Sequence, residues 1–290
     1  MVNADLLQSY RRQGWAVVDG LLSAAELATA RSLIAGLVEG ARGLADHNEV
    51  YDLEPDHRPD APHVRRIKAP HKHHAFFRDL IAAPPMLAML QTLLGTADVR
   101  LLGSKINLKQ GGGGSAVEWH QDWAFYPHTN DDLLAVGVMI EECTLDNGAM
   151  LMLSGSHLGP VHDHHSDGVF CGAIDPAAAG LDVSGASPCV GAAGAVSFHH
   201  VRTVHGSAAN RSNRPRTLLL YEIAAGDAWP LLGVPDYAEF TNRLLSGRQS
   251  PEPRLAPVPV RLPLPPARQG GSIFENQRGM RNAYFGRAER

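Results

Sequence analysis

Residues 119–127 read WHQDWAFYP, which sets His120 and Asp122 two apart between aromatic side chains. Imidazole and carboxylate together suit a divalent metal of borderline softness. On a β-strand, residues i and i+2 share a face, about 6–7 Å apart along the chain, so both could reach one ion. A mononuclear oxygen-activating iron takes two histidines and one carboxylate and keeps its other positions open. The second histidine must come from a distant strand. In FHHVRTVHGSAANRSNRPRTLLLYEI (198–223), His205 stands at a strand end before Gly206, with His199 and His200 as rivals. The arginine eleven residues after His205 favours that choice. Arg216 opens the apolar strand RTLLLYEI, so a rigid element holds its guanidinium, whereas Arg211 and Arg214 lie in the turn RSNRP and read as solvated. A fixed guanidinium binds a carboxylate through two parallel hydrogen bonds. A distal histidine followed by such an arginine suits a 2-oxo acid that chelates iron at one end and is clamped at the other. The HxD pair alone is weak, because a chance strand end or a zinc-binding cupin-like site would also contain it.

The elements that must position these residues come in two textures. ADLLQSYRRQG (4–14) predicts a helix closed by Gly14, and WAVVDG (15–20) a strand. Ser23 caps the next helix, with Glu26 three residues on as a capping box requires. Residues 44–75 are polar and read as a long excursion of the kind that lines sites. DLIAAPPMLAMLQTLLG (79–95) predicts one or two helices, Pro84–Pro85 starting the second. From residue 97, short strand patterns follow, among them SKINLKQ, VEWHQDWAF, DLLAVGVMI, AMLML and GAVSFHH. Helices first and a β sandwich or barrel after them predict an α+β fold. PEPRLAPVPVRLPLPPARQGG (251–271) is too rich in proline for central sheet and reads as a wrap over the core.

Bulk composition excludes several classes. The chain has 290 residues, 44% of them hydrophobic, and a formal net charge of −4. These values fit a globular protein with no bulk attraction to nucleic acid or membrane surfaces. No apolar run approaches a membrane span, and the N-terminus lacks a secretory pattern. Three cysteines without a CxxC spacing suit a reducing cytoplasm and free thiols. The expectation is a cytoplasmic monomer or homodimer. All fifteen histidines lie between His47 and His205, so most must be ordinary surface or loop residues.

HQD (120–122), NGAMLMLSGSH (147–157) and HGS (205–207) with Arg216 together resemble the phytanoyl-CoA dioxygenase family of Fe(II)/2-oxoglutarate oxygenases. YRRQGWAVVDGLLSAAEL also resembles that family's opening helix–strand–helix. The likeness runs from roughly residue 5 to 226. It implies a double-stranded β-helix, the jelly roll of cupin-like proteins, with N-terminal and flanking helices. The helical part would end near residue 96 and the core near 226, within one oxygenase domain. It implies Fe(II) on His120, Asp122 and His205, and the far carboxylate of the co-substrate 2-oxoglutarate on Arg216 with the Ser207 hydroxyl. Relatives also use a basic residue upstream of the HxD, for which Lys68 is the candidate. The reaction implied consumes O₂, releases succinate and CO₂, and hydroxylates or otherwise oxidises a C–H bond. A metal-binding jelly roll without turnover, a sensor or scaffold, is the alternative.

The substrate is less legible. Alternation in SKINLKQ puts Lys105, Asn107 and Lys109 on one face, where an inward lysine would need an anion. A solvated face is the competing reading. With the basic 65–74 segment, this favours a small anionic substrate. Trp123, Phe125 and Tyr126 are candidate pocket walls. GVFCGAI (168–174) could form a flap, and the polar tail GGSIFENQRGMRN (270–282) could return to the site mouth.

Overall fold

Ser23 starts the long N-terminal helix as its spacing predicts, because its hydroxyl accepts from the Glu26 amide and the Glu26 carboxylate accepts from the Ser23 amide. The computed structural model describes residues 4–265 and 273–285. The opening runs α1 (Ala4–Gln13), β1 (Trp15–Val18) and α2 (Ala24–Glu39). Gly14 between the first two has φ +82, and a Cβ there would meet the His157 ring at 2.4 Å. The excursion expected over 44–75 is partly sheet. It contains β2 (Tyr51–Leu53), β3 (Val64–Lys68) and a short α3 (Pro70–His73). Helices α4 (Ala75–Ala82) and α5 (Pro84–Leu94) follow, the second opening on the proline pair.

The β core comprises β4 (Val99–Lys109), β5 (Val117–His120), β6 (Leu133–Met139), β7 (Met150–Met152), β8 (His165–Ser166), β9 (Val169–Phe170), β10 (Ser187–Cys189), β11 (Val196–His200), β12 (His205–Ser207) and β13 (Arg216–Ala225). After it come α6 (Tyr237–Asn242), β14 (Leu244–Ser246) and α7 (Ile273–Gln277). The larger sheet runs β1-β11-β6-β13-β4-β3-β2 with β14 on β4, and the smaller runs β10-β7-β12-β5. Pairing is antiparallel. These two sheets form a double-stranded β-helix with helices added, an α+β protein as the sequence predicts.

Period-2 alternation sorts the larger sheet into two faces. Ile106, Val136, Val138, Phe198, Leu219, Tyr221 and Ile223 pack with buried residues of α2, α4 and α5 into the main core. Their neighbours Lys105, Asn107, Lys109, Leu218, Leu220 and Glu222 turn the other way and line a cavity against the smaller sheet. The lysines of SKINLKQ therefore point inward and not to solvent. No helix among the described residues is long and apolar enough to cross a membrane.

Two buried histidines brace the loops around β5. His128 donates from Nδ1 to the Tyr126 carbonyl, and His164 donates to the His162 carbonyl while its Nε2 accepts from the Gln121 amide. Burial pulls the His128 pKa down to about 4 and the His164 pKa to about 3. In the unfolded chain both return to about 6.5. Unfolded protein then binds more protons as pH falls below 6.5, so stability declines towards pH 4. His128 alone contributes on the order of 2–3 kcal/mol to that loss. Calorimetry of the metal-free protein should show a Tm that is steady above pH 7 and falls between pH 6.5 and 4. A Tm that is flat across the window would mean these imidazoles are charged in the native state.

Candidate metal centre

His120 ends β5 and His205 begins β12, and the two are direct partners across the antiparallel pair. Each donates its Nδ1 hydrogen to the carbonyl two residues back, Glu118 at 2.8 Å and Thr203 at 2.9 Å. That fixes the tautomer and leaves both Nε2 lone pairs free for a ligand bond. The rings lie 4.1 Å apart between centroids. Asp122 completes the group, and one ligand atom from each of the three residues falls within 4.8 Å of the others.

Asp122 does not reach this point as a strand residue. The strand stops at His120, and Asp122–Ala124 form a single 3₁₀ turn. Its Oδ1 lies 3.7 Å from His120 Nε2, while Oδ2 accepts from His199 Nε2 at 3.3 Å. His199, a rival ligand by sequence, thus orients the carboxylate. His200 lies outside the triad, and its Nδ1 accepts from the Arg202 amide. Gln121, between the ligands, is fully buried; it donates to the Pro160 and Arg202 carbonyls and accepts from the His162 amide.

Burial pulls the His120 pKa down to about 4 and that of His205 further below its usual range. For Asp122, burial acts to raise the pKa, but the His199 hydrogen bond and nearby cations outweigh it and hold the carboxyl well down. Two neutral imidazoles and one carboxylate are the protonation states that a divalent metal requires. The donor set fits Fe(II), and softness alone would also admit zinc.

Around the triad opens a cavity of about 670 Å³, counting its mouth, lined by Arg66, Lys105, Asn107, Lys109, Ser207, Arg216 and Glu222 among others. Arg216 and Lys109 face each other across β13 and β4. Arg216 donates to the Gly148 carbonyl at 2.8 Å, and its buried Nε has no partner. Lys109 donates to Ser207 Oγ at 2.8 Å and to the Ala208 carbonyl. Among the described residues, neither cation forms an ion pair with a carboxylate, although Lys109 is only 3% and Arg216 2% exposed. Burying unpaired ions costs several kcal/mol each. Burial, and then Arg216 opposite it, hold the Lys109 pKa well below the usual lysine range. The pair is a ready seat for an anion, and the orphaned Arg216 Nε fits one carboxylate of 2-oxoglutarate.

Several sequence expectations need correction. Lys68 does not face the cavity, since its ammonium binds Asp52 at 3.0 Å and the Asn48 carbonyl at 2.6 Å. The basic residue before the HxD that does reach the seat is Lys109, which sequence placed on the right face without a role. Trp123 is no pocket wall. The 3₁₀ turn carries its indole away from Asp122 into a core with Val161 and Val201, where Nε1 donates to the Pro259 carbonyl. Asp122 itself is another, as a turn residue.

Tyr126 does not line the cavity, but its buried phenol lies beside Asp122, and burial, with that carboxylate, raises its pKa. Phe125 meets the His120 ring edge-on at 5.8 Å. Lys105 lines the cavity and pairs with Glu222 at 2.9 Å. Asn107 accepts from Arg66 Nε at 3.1 Å. Sequence reasoning took Arg66 only as one member of the basic 65–74 segment, without a place of its own in the cavity. The stretch 168–174 does not line the cavity; it backs α7 through the Gly172 carbonyl, which accepts from Gln277. Residues 266–272, including the end of the proline-rich stretch and the start of the tail motif, lie outside the described residues.

Comparison with known proteins agrees with this geometry. The phytanoyl-CoA dioxygenase (PhyH) family profile matches residues 10–218. A probable alpha-ketoglutarate-dependent hypophosphite dioxygenase of Stutzerimonas stutzeri is 38% identical over 97% of this chain and 99% of its own length. An ectoine dioxygenase of Bordetella parapertussis is 29% identical, covering 74% of this chain and 73% of that protein. The crystal structure of EctD from S. alaskensis with 2-oxoglutarate and 5-hydroxyectoine superimposes with a TM-score of 0.67 at 23% identity, over 90% of this chain and 88% of that one. The chain belongs to the phytanoyl-CoA dioxygenase family and is an Fe(II)- and 2-oxoglutarate-dependent dioxygenase.

Proposed function

We propose that this dioxygenase oxidises a small oxyanion, hypophosphite first among them, with His120, Asp122 and His205 as iron ligands. The supporting observation is the charge of the cavity. Four basic side chains, Arg66, Lys105, Lys109 and Arg216, line it against two carboxylates, Asp122 and Glu222, and Asp52, outside the lining, lies 3.9 Å from Arg66. Fe(II) adds two positive charges and 2-oxoglutarate removes two, so the loaded site still favours an anion. Glu222 could receive the ammonium of a zwitterion, but Lys105 already neutralises it at 2.9 Å. The relative from Stutzerimonas stutzeri, matched over almost its whole length, bears hypophosphite in its name.

In this reading His120 Nε2, Asp122 Oδ1 and His205 Nε2 hold the metal. Arg216 and Lys109 bind the far carboxylate of 2-oxoglutarate, with Ser207 Oγ between them. Lys105 and Asn107 with Arg66 orient the substrate anion, and Tyr126 steadies Asp122. When bound, iron supplies the oxidation, one atom of O₂ ending in succinate and the other on the substrate. Hypophosphite, 2-oxoglutarate and O₂ would give phosphite, succinate and CO₂. The chemistry serves a P–H bond as it would a C–H bond of another small anion.

Wild-type enzyme with Fe(II), 2-oxoglutarate and hypophosphite should release succinate and phosphite in equal amounts. Asp122→Ala should lose more than the roughly 10–100-fold that removal of an outer partner costs. Metal binding by the wild type without consumption of 2-oxoglutarate would instead favour a sensor or scaffold. Arg216→Ala should weaken 2-oxoglutarate binding by roughly 30-fold or more, the loss expected when one partner of a buried charge pair is truncated. Metal affinity should change far less, and equal loss of both would make Arg216 structural. Lys109→Met should raise the KM for 2-oxoglutarate about tenfold while Lys68→Met leaves it unchanged. The reverse order would restore Lys68 as the anion ligand.

A further inference from the structure

We infer that Phe274 sets the upper size limit of the molecule this enzyme oxidises, an inference that rests on the small-oxyanion reading above. Phe274 and Ile273 of α7 line the same cavity as Arg66, Asn107 and the metal triad. The Phe274 ring is 8% exposed. It lies 4.4 Å from the Arg65 guanidinium carbon and 5.4 Å from that of Arg66. One side of Arg66 therefore meets an aromatic face while its Nε is held by Asn107. A guanidinium over an aromatic face is attracted to it, and more strongly when both are removed from water. An anion docked on Arg66 and Asn107 shares its space with that ring, so any substituent larger than hydrogen competes with Phe274.

This wall is anchored. Gln277 accepts from the Glu118 amide and donates to the Gly172 carbonyl, both at 2.9 Å. The Glu118 carboxylate accepts from the amides of Tyr284 at 2.9 Å and Phe285 at 3.1 Å. The Trp119 ring packs against both of these aromatics, at 5.9 and 5.3 Å. Arg65 also forms an ion pair with Glu275. A Cβ on Gly206, next to His205, would come within 2.8 Å of Phe285, so β12 is bare where the tail crosses it. Residues 273–285 are thus fastened to β5, the strand that ends in His120, and the backbone that carries Phe274 cannot withdraw without breaking the buried Gln277 bonds.

The test is calorimetric binding of hypophosphite, methylphosphinate and phenylphosphinate to enzyme loaded with Fe(II) and 2-oxoglutarate without oxygen, followed by turnover of each. Wild type should bind hypophosphite and reject phenylphosphinate. Phe274→Ala should improve the affinity ratio of methyl- or phenylphosphinate to hypophosphite at least tenfold, with Phe274→Leu, the milder change for folding, shifted in the same direction. Equal weakening for all three anions, with the ratio unchanged in both variants, would make Phe274 a packing residue and overturn the inference while leaving the oxyanion reading intact. Failure of wild type to bind any of the three would overturn the oxyanion reading itself, and this inference with it.

Discussion

Two basic side chains, Lys109 and Arg216, stand opposite each other in the middle of this protein, and among the described residues neither forms an ion pair with a carboxylate. Like charges directly across a strand pair are unfavourable in any sheet, and more so when dry. Lys109 and Arg216 are held there by lone pairs alone, from Ser207, Ala208 and Gly148. Much of the site follows from that arrangement. Gly148 has φ +81, and a Cβ there would press on the Lys109 side chain at 3.2 Å. Gly114 likewise leaves room, since a Cβ there would meet Lys109 at 2.5 Å. The glycine-rich loop before the HxD thus has a packing reason: it passes close over the lysine that carries the charge. A dicarboxylate bound there would relieve the repulsion.

Much of this could be read from the amino-acid sequence, because it depends on local rules. The capping box at Ser23, the proline start of α5 and the alternation along SKINLKQ are set by neighbours a few residues apart. His120, Asp122, His205 and Arg216 form a pattern whose parts each need the others, and the pattern survives being read without coordinates. What failed were inferences carried one step past their warrant. Strand geometry was extended through Asp122, yet the backbone turns after His120, and this sends Trp123 into the core. Nothing nearby in sequence claims Lys68, but Asp52, sixteen residues earlier, lies across the β2–β3 pair and does. Alternation could give Lys109 a side but not a depth. The strands β2 and β3 are hidden in polar sequence, since the pair joins the larger sheet only through the later strand β4. The sequence leaves open a return of the polar tail to the site mouth; α7 makes that return, with Ile273 and Phe274 lining the cavity, but the Gln277 contacts that hold it reach residues more than a hundred positions back, which no local pattern encodes.

The metal ligands illustrate how little machinery is needed to aim an imidazole. A single hydrogen bond from Nδ1 to the carbonyl two residues back recurs at His120, His205, His128 and His164. In two cases the freed nitrogen faces the cavity, and at His164 it accepts from the amide of the residue between the ligands. The same local device therefore makes both ligands and struts, and the difference lies in what stands across from Nε2.

Both imidazole rings of the triad are held by their own backbone, His120 by the Glu118 carbonyl and His205 by the Thr203 carbonyl, so the chain itself sets their orientation. A set of two imidazoles and a carboxylate with open positions suits non-haem Fe(II), but its donor atoms alone do not refuse other divalent ions. Intrinsic affinity at such a site rises from iron through nickel and copper, with zinc also above iron. Metal availability therefore weighs beside geometry and ligand type in which ion such a site takes.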